Sequence, residues 1–292
     1  MVVEAMGSVE VFFSYDQEDE PLQKRLEQQL HFLKRQGLIS AWHNRTLLAG
    51  QEVDSETKRH LATAHLILLL ISPDFLSSDY CCKVEVTEAM RRHVSGDAHV
   101  IPIILRHVYW QDEPFSRLQV LPAGGKPVQS WSDIDEAFRD IAYNIQRVVK
   151  RLLLNRCFNL IEKLCQENRH EEAFNICEQA YRLTINNADQ ASMRLFRGNI
   201  LLNEKKYEEA LAAYEEAAQH DPSITDMDFF RNKGQALQYL ERFREALTAY
   251  EEAECLGSRD PNLYHNKGIV LERLAQQAHN TAYELDILRT SK

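Results

Sequence analysis

The 292-residue sequence predicts a doubly wound parallel α/β domain followed by an all-helical repeat array, on three observations. Short apolar runs alternate with amphipathic stretches through the first half. Two of those runs are apolar on both faces. The second half repeats itself every 34 to 36 residues.

In order, the first half reads VEVFFSY, PLQKRLEQQLHFLKRQG, LISAW, SETKRHLATA, HLILLLIS, a long helical segment, and VIPIIL. That is βαβαβαβ. Leu66–Ile71 and Val100–Leu105 lack the apolar/polar alternation of a half-exposed strand. Strands read this way when helices cover both sides of a parallel sheet, so a doubly wound α/β domain is expected. In such a sheet ligands bind beyond the carboxyl ends of the strands. Three loops gather there: Ser14 to Asp19, His43 to Glu52 and Ser72 to Tyr80.

From about residue 151 only helical patterning remains. Gly198, Ala210, Tyr214 and Ala217 recur as Gly234, Ala246, Tyr250 and Ala253, each 36 residues on, and Gly234 recurs as Gly268. KKYEEALAAYEEAAQHDP and ERFREALTAYEEAECLGSRDP nearly superimpose, and NRHEEAFNICEQAYRL is a more divergent copy with Ala173 and Ala180 in place. This spacing resembles the tetratricopeptide (TPR) repeat, in which small residues let paired helices approach closely and aromatics fill the gaps. The repeats are expected at 154–190, 191–226 and 227–260, with capping helices over 261–292. No Gly/Ser linker separates the halves, so a helix over Trp131 to Lys150 is expected to run stiffly into the first repeat. Domains are placed at 6–150 and 151–292.

Composition excludes several classes of function. With 44% hydrophobic and 27% charged residues the chain is globular. Its net charge is −10, with 16 Lys and Arg against 21 Asp and Glu over residues 1–150 and 18 against 23 over the rest. A chain acidic in both halves has no footprint for a phosphate backbone, so no direct nucleic-acid partner is expected. The six cysteines form no CxxC pair and no zinc spacing, which predicts reduced thiols and no metal. Neither a leader nor a membrane span is read, and a cytoplasmic location is expected. A Gly-rich phosphate loop, a GxSxG elbow and an HExxH are all missing from the sequence.

Three boxes in the first half carry a second resemblance. Val11-Phe-Phe-Ser-Tyr15, Trp42-His-Asn-Arg-Thr-Leu-Leu-Ala-Gly50 and Ser72-Pro-Asp-Phe-Leu-Ser-Ser-Asp-Tyr-Cys81 lie in order on the three loops. Together they resemble the TIR (Toll/interleukin-1 receptor-like) family over about residues 8–150. The resemblance implies a flavodoxin-like fold with a parallel sheet, and Ala49 before Gly50, where animal signalling members carry Pro, points to the bacterial type. It also implies an NAD+-cleaving activity with Glu85 as the catalytic carboxylate, NAD+ being substrate and not cofactor. Tyr15, Trp42, Arg45 and Ser72 are the residues set against NAD+: Trp42 as a ring to stack on the substrate and Arg45 as a bidentate partner for its pyrophosphate. Two positions depart from the pattern: Cys81 stands where many NAD+-cleaving relatives have Trp, and Asn44 where Asp is common.

One carboxylate suffices chemically, because the pyridinium of NAD+ leaves as neutral nicotinamide and needs no general acid. What remains is stabilisation of an oxocarbenium-like transition state. Glu88, three residues on, fits a solvated helix face better. The resemblance therefore implies an NADase effector in an immune or antiphage response, yielding ADP-ribose or a cyclic product. TIR domains would associate with one another, and a protein or peptide would bind the concave face of the repeats. The alternatives are a non-enzymatic adaptor built on TIR–TIR and TPR–peptide contacts, and a nucleotide sensor that binds without cleaving.

Overall fold

The computed structural model describes residues 7–42 and 53–290. The chain divides into two compact units, residues 1–153 and 154–292.

In the first unit four parallel strands, β1 (Val9–Ser14), β2 (Ile39–Trp42), β3 (Leu66–Ile71) and β4 (His99–Ile104), form one sheet in the order β2-β1-β3-β4. Every residue of β3 is fully buried, as expected of a central strand covered on both faces. Ser14, the last residue of β1, pairs in register with Leu69 of β3. The chain leaves β1 towards β2 on one side and returns on the other to β3, so the switch point of the sheet lies between β1 and β3. Ligand crevices of open α/β sheets form at the carboxyl edge of that point.

Helix α1 (Glu20–Arg35) buries Gln23, Leu26, Leu30 and Leu33, one stripe at helical spacing, and Gly37 at φ 72° turns the chain into β2. Helix α2 (Val53–Thr63) leads into β3, and its last turn is closed from outside. The buried Arg92 guanidinium donates to the carbonyls of Leu61 and Ala64 at 2.5 and 2.7 Å, supplying donors that the end of a helix lacks.

The segment after β3 differs from the single long helix predicted. A short helix, α3 (Pro73–Ser77), ends where Ser78 turns extended, at ψ 113°. A π-helical turn, Cys81–Val86, follows and passes into α4 (Thr87–Ser95), which Gly96 closes at φ 80°. The break lies in a run of Ser77, Ser78 and Asp79, residues whose side chains compete with the backbone for hydrogen bonds.

Helix α5 is one continuous element, Ile134–Gln166. In the second unit α6 (His170–Ala180), α7 (Asn187–Asn203), α8 (Tyr207–His220), α9 (Met227–Tyr239) and α10 (Phe243–Cys255) follow in antiparallel pairs. The turns before α6, α8 and α10 each hold one residue at positive φ: Asn168, Lys205 and Glu241. Gly198 of α7 and Gly234 of α9 lie beneath the rings of Tyr214 and Tyr250, so close that a Cβ at either would meet the ring at 2.6 Å. The repeat signature is this contact, a tyrosine lying on a glycine.

In place of the capping helices expected over 261–292 there is a single helix, α11 (Pro261–Thr290). The sequence explains it. The position equivalent to Glu241 is Ala275, where Ala, the strongest helix former, replaces the charged residue that turns at positive φ before the preceding helix pair closes. Glu284 stands where Tyr250 would recur, so the position that supplies the ring over Gly198 and Gly234 holds no aromatic here.

Candidate functional site

Glu85 lies in the π-helical turn, with its side chain directed to the carboxyl edge of the sheet. It is only 6% exposed, and the hydroxyl of Ser14, itself buried at the end of β1, donates to its Oε2. The two residues are 71 apart in sequence and meet at the β1/β3 switch point. Burial pushes the Glu85 carboxyl up to about 7, against the opposing pull of the Ser14 hydroxyl. A π-turn shifts the side chains that follow it relative to a regular helix, and such turns recur at functional sites.

A second polar group joins the ends of β1, β3 and β4. Ser72 at the end of β3 caps α3 by accepting from Phe75 N at 3.1 Å, and its hydroxyl donates to Asp19 Oδ2. Arg106, just after β4, donates from Nε to Asp19 Oδ1 at 2.9 Å and pairs also with Asp74 in the first turn of α3. Asp19 is buried. Burial lifts its carboxyl above the ordinary range, while Ser72 and Arg106 oppose that shift. The loops after β1, β3 and β4 are thus tied together by charge-assisted bonds.

Of the residues singled out in the sequence, Ser72 is fully buried and both its bonds serve this clamp. Tyr15 follows Ser14 and is half-buried, with its carbonyl 4.0 Å from the Cys81 thiol. Trp42 ends β2 in register with Phe12; its side chain, like Arg45, Asn44 and Gly50, lies outside the described residues. Cys81, one turn before Glu85, is buried, and burial pushes its thiol up to about 12. A thiol so far from ionisation is no nucleophile. Glu88 is held by Arg91 in a bidentate pair at 2.8 and 2.7 Å, which lowers its carboxyl pKa.

Sequence reasoning did not single out Ser14, Asp19, Asp74 or Arg106. The available signal was position: Ser14, Asp19 and Asp74 lie on loops already placed at the crevice, and Arg106 follows a predicted strand's carboxyl end.

Among the described residues no helix is long and apolar enough to cross a membrane. Residues 11–141 match the TIR domain family and residues 195–224 the tetratricopeptide repeat. The chain is 48% identical over 142 residues to the uncharacterized protein y4lF of Sinorhizobium fredii, a match that covers 49% of this chain and 44% of that protein. This chain therefore spans less than half the length of that relative. Solved TPR structures are also similar. The P58(IPK) TPR domain aligns with 48% of this chain and 37% of its own, at 21% identity and TM-score 0.41. The second TPR domain of human RPAP3, solved with an HSP70 peptide, aligns with 44% of this chain and 96% of its own, at 18% identity and TM-score 0.34. The chain thus carries a TIR domain over residues 11–141, on a four-stranded parallel sheet, and a tetratricopeptide repeat at residues 195–224 within a helical region.

Proposed function

We propose that the N-terminal unit is an NAD+ glycohydrolase with Glu85 as its catalytic carboxylate. The observation that supports this reading is a desolvated carboxyl at the sheet's switch point, oriented by the Ser14 hydroxyl. A strongly perturbed, specifically partnered carboxyl at that place in an α/β fold has the signature of a functional group. In the proposed reaction the bond between ribose C1′ and the pyridinium nitrogen breaks, and its electron pair leaves with neutral nicotinamide. Ionised Glu85 stabilises the cationic sugar in a site of low dielectric. Water then adds to C1′ and loses a proton, giving ADP-ribose; attack by the substrate's own adenine instead would give a cyclic product. Tyr15, Trp42 and Arg45 are the proposed contacts to NAD+. The repeats would take a protein or peptide on their concave face, self-association would gate activity, and the setting would be a cytoplasmic immune-type response.

The test is nicotinamide release from NAD+ by the concentrated full chain beside Glu85→Gln. We expect release from the wild type and a fall of at least about 100-fold in the variant, the scale of losing a transition-state charge stabiliser. Equal release from both would remove Glu85 from the mechanism. The depth of Glu85 favours one other reading, in which it is a buried structural carboxyl of a TIR-type adaptor that signals by docking alone. Intact NAD+ in a demonstrably self-associated sample would decide for the adaptor.

A further inference from the structure

Helix α11 carries two apolar stripes, and only one of them is covered. Leu263 and Val270 are buried against the preceding pair, with Leu274 partly so. On the other face Tyr264 is 45% and Leu271 48% exposed, and Gly268 between them has open space where a Cβ would stand. The same positions one repeat earlier show what such a face receives. Phe230 and Leu237 are packed into the core there, and the Tyr250 ring of the following helix lies on Gly234. In α11 the seat for a partner helix is built, and among the described residues nothing occupies it. Large exposed apolar side chains on a ready-made helix seat mark an interaction surface.

We propose that the occupant is a second copy of this chain, its α11 packed antiparallel across this one about a two-fold axis. The pattern on α11 is self-complementary. Tyr264, Gly268, Leu271 and Ala275 follow at spacings of four, three and four, alternating large and small on one helix face. In antiparallel register each Leu271 lies over the other copy's Gly268 and each Tyr264 over its Ala275. A two-fold makes each contact twice. The same register sets the exposed Glu272 opposite Lys267, whose ammonium is already 2.7 Å from Glu254, so the rim charges match as well. This interface is independent of any chemistry at Glu85.

Sedimentation velocity of the full chain over a concentration series tests it. The wild type is expected to form a dimer, and Leu271→Glu and Gly268→Lys, each alone, to sediment as monomers. An equimolar mixture of the two variants should recover the dimer, because one contact then pairs the introduced acid with the introduced base while the other keeps its native residues. Both positions are exposed, so neither substitution disturbs the core of the single chain, and each variant should keep the wild-type helical content by circular dichroism; Ala275→Glu, also exposed and facing Tyr264 in this register, provides an independent disruption. A wild type that stays monomeric throughout overturns the proposal. So does a dimer indifferent to all three substitutions, and a mixture that remains monomeric overturns the antiparallel register.

Discussion

At the scale of single residues, the informative group is Glu85, because its burial has a consequence for stability as well as for chemistry. A carboxyl held at about 7 in the fold and near 4.5 in an unfolded chain is disfavoured in its ionised form by the native structure. Below pH 4.5 both states are neutral and there is no penalty. As the pH rises from there to 7 the unfolded chain ionises first, and stability falls; above 7 the penalty is complete, on the order of 3 kcal/mol at about 1.4 kcal/mol per unit. Glu85→Gln removes that penalty and keeps an acceptor for the Ser14 hydroxyl. The variant should therefore be more stable than the wild type by about 1–3 kcal/mol at pH 8, with the difference vanishing near pH 4. Urea unfolding at the two pH values measures it. A variant less stable at pH 8 would mean that the carboxylate stabilises the fold, as a structural group would. A gain in stability joined to a loss of nicotinamide release is the trade expected of a catalytic site.

At the scale of elements, the strands and the repeats were legible because each is written in local pattern. Leu66–Ile71 announces a doubly covered strand, and Gly198, Gly234 and Gly268 announce a repeat. The pairs that build the site were not legible: Ser14 with Glu85 spans 71 residues and Arg106 with Asp19 spans 87, and no periodicity records which loops a sheet brings together. The π-turn was also hidden, since the string from Cys81 to Val86 reads as ordinary helix. The three repeat glycines look alike in sequence and differ in the fold, which makes them a test of what the repeat needs. Gly234→Ala drives a methyl against the buried Tyr250 ring, whose hydroxyl is fixed to Gln238 at 2.8 Å. Overpacking of this kind costs about 1–3 kcal/mol, more than the ~1 kcal/mol that Ala gains over Gly in a helix. In the chain kept monomeric by Leu271→Glu, Gly268→Ala meets nothing and should instead stabilise by about 0.5–1 kcal/mol. Thermal unfolding of the two variants should move in opposite directions; a shared direction would show that the Tyr–Gly contact does not set the repeat's packing.

At the scale of the whole molecule, the charge of −10 is spread over both halves, so long-range repulsion between copies works against assembly and weakens as salt rises. Two surfaces would bring copies together, the TIR domains of the proposed enzyme and the face of α11, and mass action makes their joint effect measurable. If association assembles the site around Glu85, nicotinamide release per chain must rise with protein concentration and, at fixed concentration, with ionic strength up to the point where repulsion is screened. Leu271→Glu leaves every residue of the candidate site in place, so at saturating concentration it should reach the wild-type rate, with its half-maximal concentration shifted upward. Initial rates taken over a dilution series for both proteins make the comparison. Rates per chain that stay flat while sedimentation records dimers would separate assembly from catalysis. In that case the repeats act through whatever partner they bind and not by counting copies of themselves.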